Sequence, residues 1–372
     1  MVKLKIALLG SYLPKIAGTE IYLSKIAQGI SESGIGVHII TYSYGRPVGK
    51  ELVKALPTVN LKYLRGMSYV LLSSLYAKLK ERKFDIFNAH YALTSGLAAT
   101  ISNLRPRVVT CHGTDIFNGF RNALYRGVLK YVIETSNHTV FVSKYLRDKA
   151  RELGINVKYS SIIPGGVNKP TPPIRGKAWL KRFLLNLDTS YYVVSFLGGL
   201  YAHKGAHLTV DIAYMAQKIL KRDICLLIIG DGPLRSWIRE RAEKLGQKAI
   251  ITGYVRHKHV RQYLQASDIL IVPSIEEGLG LSCLEGLAAG VPVVAFRTGG
   301  IPEIIRNMSN GVLVEAISIK EMAEKIALLI ENKELRSKIV RKGYETAKQY
   351  SWKNCVEKYI KLFYKLARNE RR

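Results

Sequence analysis

The sequence predicts an α/β protein built from two doubly wound parallel sheets, and three observations carry that prediction. Short Val/Ile/Leu/Phe runs alternate with amphipathic helical stretches, one proline-rich segment interrupts them near the middle, and the alternation then restarts. Parallel strands with helices on both faces read as near-continuous apolar runs, and these do. At 372 residues the chain is long for one core and suits two.

In the first half, KIALLG (5–10), VHIIT (37–41), FDIFNA (84–89), RVVTC (107–111), HTVFVS (138–143) and SSIIP (160–164) are predicted strands. Helical patterns fall near 19–33, 68–82, 119–135 and 143–153. Residues 165–177 (GGVNKPTPPIRGK) hold three prolines and no apolar periodicity, which marks a linker. Beyond it, 191–198, 224–230, 249–253, 269–274, 292–296 and 311–315 read as strands again, and basic helices close the chain over about 318–369. The expected domains are therefore 1–168 and 169–350, with a last helix over 351–372.

The net charge of +29 splits almost evenly, +15 over residues 1–170 and +14 beyond. Such a field attracts nucleotide diphosphates, anionic lipid or nucleic acid, and charge alone does not choose among them. No secretory leader and no long apolar run is visible, so a cytoplasmic protein is expected. Cys111, Cys225, Cys283 and Cys355 are scattered without a Cys-x-x-Cys pair, which argues against a metal site or a disulfide framework.

In open parallel sheets ligands sit beyond the carboxyl ends of the strands, so the loops there are where chemistry is expected. After the first strand, Gly18 precedes a helix and would offer bare N–H groups to phosphate, or simply serve a turn. His112 follows RVVTC and either reaches into a cleft or is a hydrogen-bonded structural histidine. Gly198-Gly199-Leu200-Tyr201-Ala202-His203-Lys204-Gly205 follows a strand and suits a pyrophosphate, with Lys204 as point charge. Gly230-Asp231-Gly232-Pro233 is a second such turn, in which Asp231 also fits a purely structural role. The stretch 273–290 joins Glu277, a glycine turn through Gly280 and Leu281, and Glu285 inside an otherwise apolar helix. Carboxylates accept hydrogen bonds from paired hydroxyls, as a sugar and a ribose present them, and a buried Glu285 requires a partner.

These motifs in this order resemble family 4 of the retaining glycosyltransferases, whose two Rossmann-like domains face across a cleft in the fold called GT-B. The resemblance rests on Gly18-Thr19-Glu20, His112-Gly113-Thr114-Asp115, Pro164-Gly165-Gly166-Val167-Asn168, Lys204-Gly205, Glu277 with Glu285, Gly299-Gly300-Ile301-Pro302-Glu303 and Ser351-Trp352. It implies an acceptor-side first domain, a donor-side second domain and a terminal helix that crosses back to the first. It further implies that Glu285 holds the nucleotide ribose and Glu277 the transferred sugar. Lys204, the Gly18 turn and the N–H groups near Gly280 and Leu281 would face the diphosphate. His112 would steady the positive charge that develops on the sugar. The chain departs from the family at Gly199, where many members carry an arginine, and at Gly165 and Asn168.

The implied reaction is transfer of a sugar from a nucleotide-diphosphate sugar to a hydroxyl on a glycan or lipid-linked acceptor, with retention and without metal or other cofactor. No Asp-x-Asp motif is present. The stretch 67–83 places Val70, Leu71, Leu75 and Leu79 beside Lys78, Lys80, Arg82 and Lys83, which suits either an anionic membrane surface or a helix covering the sheet. A GT-B sugar phosphorylase or nucleotide-sugar epimerase is the rival reading. A nucleic-acid binder would explain the charge but lacks a basic-aromatic module.

Overall fold

The computed structural model describes residues 4–12, 18–42, 52–59, 61, 64–170, 176–315 and 317–370. Contacts divide the chain into two units: Met1–Gly165 with Trp352–Arg372, and Gly166–Ser351. Each holds one all-parallel sheet.

The first sheet comprises β1 Lys5–Leu9, β2 Gly36–Tyr42, β3 Leu52–Leu56, β4 Ile86–His90, β5 Arg107–Cys111, β6 His138–Phe141 and β7 Ser160–Ile162, in the order β3-β2-β1-β4-β5-β6-β7. The second comprises β8 Tyr192–Leu197, β9 Ile224–Ile229, β10 Ala249–Ile251, β11 Ile269–Val272, β12 Val293–Phe296 and β13 Val312–Val314, in the order β10-β9-β8-β11-β12-β13. Central strands such as β4, β5, β9 and β12 are buried along their whole length, as sheets covered on both faces require. Both strand orders reverse once, between β1 and β4 and between β8 and β11. A crevice opens at such a reversal beyond the strand carboxyl ends.

Among the elements that differ from the sequence reading, two are instructive. β3 was not expected: it is a half-exposed edge strand with Lys54 at its centre, and an edge needs no continuous apolar run. The single helix expected near 119–135 is two, Thr114–Arg121 and Ala123–Glu134, broken at Asn122, whose extended backbone and side-chain oxygen cap the second.

Arg107 is 1 % exposed, yet no carboxylate pairs with it among the described contacts. Its guanidinium donates to the Ala99, Leu104 and Thr135 carbonyls, which offset part of its desolvation. The helix Trp352–Glu370 belongs to the first unit and packs on the helix Gly18–Glu32. A Cβ on Gly29 would lie 2.5 Å from Val356 Cγ2, so glycine is what lets the two helices approach.

Candidate functional site

In the second unit, four loops at the strand carboxyl ends are packed backbone on backbone. A Cβ on Gly205 would lie 1.8 Å from the Pro273 carbonyl oxygen, one on Gly230 2.0 Å from that of Gly198, and one on Gly299 1.8 Å from that of Glu277. Gly205 and Gly299 also have positive φ, +68° and +57°. Hydrogen bonds close the set: Leu200 N–H donates to Asp231 O, Ile275 and Glu276 N–H to His203 O, and Gly300 N–H to Glu277 O.

This frame delivers Lys204 and Glu277 to one place. Lys204 Nζ lies 2.8 Å from Glu277 Oε2, which also accepts from the Ser274 hydroxyl at 3.3 Å. Glu277 is 8 % exposed. Burial alone would raise its pKa, but the Lys204 ammonium, Ser274 and the Leu279 N–H together hold it below the usual carboxylate range. Gly280, at φ +98°, then opens the helix Leu281–Ala289, whose first-turn N–H groups lack intrahelical partners.

Glu285 lies in the second turn of that helix. Its Oε1 is 2.7 Å from Nε2 of His257, at the start of the helix His257–Gln265. Beside the pair is a cavity of about 40 Å³, lined in part by Val167, Asn168, Val260 and Ala288. A wider groove of about 480 Å³ sits by Asp268 and Pro292, at the amino ends of β11 and β12, and so at the wrong edge of the sheet for these residues. Asp231 accepts from its own turn, at Gly232 N–H, and pairs with Arg235 at 3.0 Å. Gly199 and Gly230 line the β8 and β9 turns as backbone only. Lys204 and Glu277 are thus brought together, whereas Glu285 and Asp231 each face another partner.

In the first unit, Gly18 is the exposed first residue of the helix Gly18–Glu32; residues 13–17 of its turn lie outside the described residues. Glu20, in the first turn, accepts from the Ser11 hydroxyl at 2.6 Å. His112 follows β5 and stays half-buried; burial pushes its pKa down to about 3, so the ring is neutral. Asp115 holds its turn, accepting from the Gly113 and Ile116 N–H groups and, across to the β4 loop, from Ala92 N–H. That loop begins with Tyr91 at φ +80°, a strained conformation for a residue with a side chain, and continues as one π-helical turn.

His112 Nε2 lies 3.1 Å from Nδ1 of His90, and His90 Nε2 lies 3.1 Å from the Asn88 amide. Neither His90 nor His257 was singled out from sequence. His90 ends its strand and His112 directly follows the end of the next one, and that placement was the available signal. His257, in a basic His-Lys-His run, carried none.

Two parallel doubly wound sheets, with an ion pair, a helix N-terminus and glycine-seated backbone gathered at the strand carboxyl ends of the second, are the arrangement of the GT-B fold class. Two family models match: Glycosyltransferase Family 4 over residues 16–169 and Glycosyl transferases group 1 over residues 178–346. The chain belongs to this family, the group 1 glycosyltransferases, enzymes that transfer glycosyl groups. It is similar to an uncharacterized glycosyltransferase of Methanocaldococcus jannaschii, 29% identical over 99% of this chain and 100% of that one. It is also similar to the UDP-Gal:alpha-D-GlcNAc-diphosphoundecaprenol alpha-1,3-galactosyltransferase of Escherichia coli, 26% identical over 79% of this chain and 80% of that one. Among solved structures, Anabaena HepE in complex with UDP-glucose shares the fold, with a TM-score of 0.82 and 19% identity over 98% of this chain and 100% of that one.

Proposed function

We propose that this glycosyltransferase uses a nucleotide-diphosphate sugar, retains the anomeric configuration, needs no metal, and glycosylates a hydroxyl of a lipid-linked acceptor. The observation that carries the reading is the 2.8 Å Lys204–Glu277 pair at the β8/β11 reversal, next to the N-terminus of the helix Leu281–Ala289. A departing diphosphate gains negative charge, and a fixed ammonium with aligned N–H groups stabilises that charge without reorganisation. Glu277 keeps Lys204 in place while its own carboxylate accepts from sugar hydroxyls. Glu285 Oε2 has no hydrogen-bond partner among the described residues, so a ribose hydroxyl can bind it beside His257. His112, neutral at physiological pH, acts on the transferred sugar.

HepE was crystallised with UDP-glucose and the E. coli relative is named for a diphosphoundecaprenol acceptor, which support a nucleotide-sugar donor and a lipid-linked acceptor here. Thermal shift across a panel of UDP-, GDP- and ADP-sugars, followed by assay of released nucleoside diphosphate, tests the donor. Failure of every nucleotide-sugar to stabilise the protein or turn over would end this reading. Activity that chelator abolishes and magnesium restores would refute metal independence, and a product of inverted anomeric configuration would refute retention.

The helix Leu64–Leu79 supports contact with an anionic membrane. It buries Tyr69, Val70, Ser73 and Ala77 and turns Leu64, Met67, Leu71, Leu75 and Leu79 outward, between 46 % and 74 % exposed. Of the stripe expected from sequence, only Val70 faces inward. A continuous exposed leucine row beside Lys78, Lys80, Arg82 and Lys83 fits lipid headgroups and acyl chains. No helix among the described residues is long and apolar enough to cross a membrane. Cosedimentation with phosphatidylglycerol vesicles but not with neutral ones is expected, and Leu71→Gln/Leu75→Gln should abolish it.

A further inference from the structure

Strand alternation puts Asn88 and His90 on one face of β4, and the β4–β5 register sets Thr110 opposite His90, with His112 two residues on. The face they share is covered by the helices Gly18–Glu32 and Trp352–Glu370. The result is one row of uncharged polar groups. His112 Nε2 meets His90 Nδ1 at 3.1 Å, His90 Nε2 meets Asn88 Nδ2 at 3.1 Å, and Asn88 Oδ1 accepts from the Thr110 hydroxyl at 3.1 Å. Thr110 Oγ1 lies 3.0 Å from the Tyr359 hydroxyl of the terminal helix, and the Tyr22 hydroxyl donates to Ile163 O at 2.8 Å. Asn88, His90, Thr110, Tyr22 and Tyr359 are at most 1 % exposed.

The row has a direction. Thr110 gives its one hydroxyl proton to Asn88 Oδ1, so it accepts from Tyr359, whose one proton is then not available to the Tyr22 hydroxyl 3.2 Å away, and the Asn88 amide turns its NH₂ to His90. An NH₂ group only donates, so His90 Nε2 accepts and the single proton of neutral His90 sits on Nδ1. That proton is donated to His112 Nε2. The proton of neutral His112 is thereby left on Nδ1, which has no partner among the described residues. Burial lowers the pKa of His90 well below the ordinary value, which keeps the donor neutral.

We infer that His90 is a positioning residue that locks His112 in the tautomer protonated on Nδ1, so that His112 serves transfer as a neutral hydrogen-bond donor and not as a base. The assignment rests on the proposed role of His112 in the reaction. Its accepting nitrogen is occupied by His90, and its outward nitrogen carries the hydrogen. A sugar oxygen is what such a donor would hold.

The test is long-range ¹H–¹⁵N correlation of histidine-labelled full-length protein at pH 7, with steady-state kinetics alongside. In the unsubstituted protein His112 should be protonated on Nδ1. Asn88→Asp, nearly isosteric, places an acceptor at His90 Nε2 and reverses both histidines. His112 should then be protonated on Nε2, with kcat down about tenfold or more and donor KM nearly unchanged. Where Asn88→Asp does not fold, His90→Leu and His90→Gln serve instead. Leucine should leave His112 a mixture of tautomers, and the glutamine amide should restore the Nδ1 form and part of kcat. His112 protonated on Nε2 in the unsubstituted protein, or reversal without any change in kcat, overturns the inference. If the Nδ1 form is found but His112→Ala turns over normally, the service to transfer is refuted while nucleotide-sugar binding still reports on the donor reading. Absence of that binding would sink the proposed function instead.

Discussion

The two units solve the same task, holding polar groups at the carboxyl ends of a parallel sheet, by opposite means. The second uses charge and bare backbone: Lys204 against Glu277, and glycines at which a Cβ would stand 1.8–2.0 Å from a carbonyl oxygen. The first uses neutral groups hydrogen-bonded in a row, from His112 to Tyr359. A buried charge must be paired or it destabilises the fold, whereas a neutral row only needs its hydrogen bonds complete. The contrast matches the proposed division of labour. A diphosphate is met by fixed positive charge, and a reacting sugar, itself turning positive, by groups that carry none.

The strongest way to break this contrast is to add atoms to the second unit. Gly205→Val or Gly299→Ala should destabilise it by several kcal/mol, on the order of 4, and abolish activity, as read by denaturant unfolding. Next comes Lys204→Met, which leaves a buried Glu277 without its cation. We expect kcat/KM for the donor to fall about 100-fold or more, with the Glu277 pKa rising into or above the ordinary range. If Lys204→Met were as active as the parent, charge would not be the working element of the second unit.

The two units should then separate kinetically. His112→Ala should mainly lower kcat and Glu285→Ala mainly raise the donor KM, each by about tenfold or more, and the reverse pattern would exchange their roles. Acid should separate them as well. His112 and His138, both in the first unit, titrate in the fold at about 3 and about 4 against an ordinary 6.5. The unfolded chain therefore binds more protons in between, and the first unit should lose stability as pH falls from about 6.5. In the second unit the lowered carboxylates are Glu277, Asp268 and the exposed Asp188, and the contribution of the first two is complete above the ordinary carboxylate pKa and is lost below it. Hydrogen exchange read by segment between pH 7 and pH 4 should show the first unit opening earlier. The smallest effect belongs to Gly127, within the helix Ala123–Glu134 and with open space where a Cβ would go. Gly127→Ala should stabilise by about 0.5–1 kcal/mol, against the collapse expected at Gly205.

Much of this was legible in advance, and for stated reasons. All six strands of the second sheet are apolar runs bounded by turn residues, and Glu285 stood out because a carboxylate interrupts an apolar helix. Its need for a partner was also legible; that the partner is His257 was not, because the two are 28 residues apart and meet only when two helices pack. β3 escaped because an edge strand shows half its surface to water. Of the two readings of His112, the structure shows the hydrogen-bonded one, to His90 at 3.1 Å, and the reach toward a sugar belongs to the proposal.

The sequence by itself determined the two α/β units, the strand ends at which polar residues gather, and the glycines that local backbone geometry demands. These follow from periodicity and steric freedom, which are properties of neighbouring residues. The tertiary structure alone decided which groups face each other: Lys204 with Glu277, His257 with Glu285, His90 with His112, and Leu64, Leu71, Leu75 and Leu79 turned to solvent. Hydrogen bonds and ion pairs act over about 3 Å, and only packing brings residues tens of positions apart within that reach.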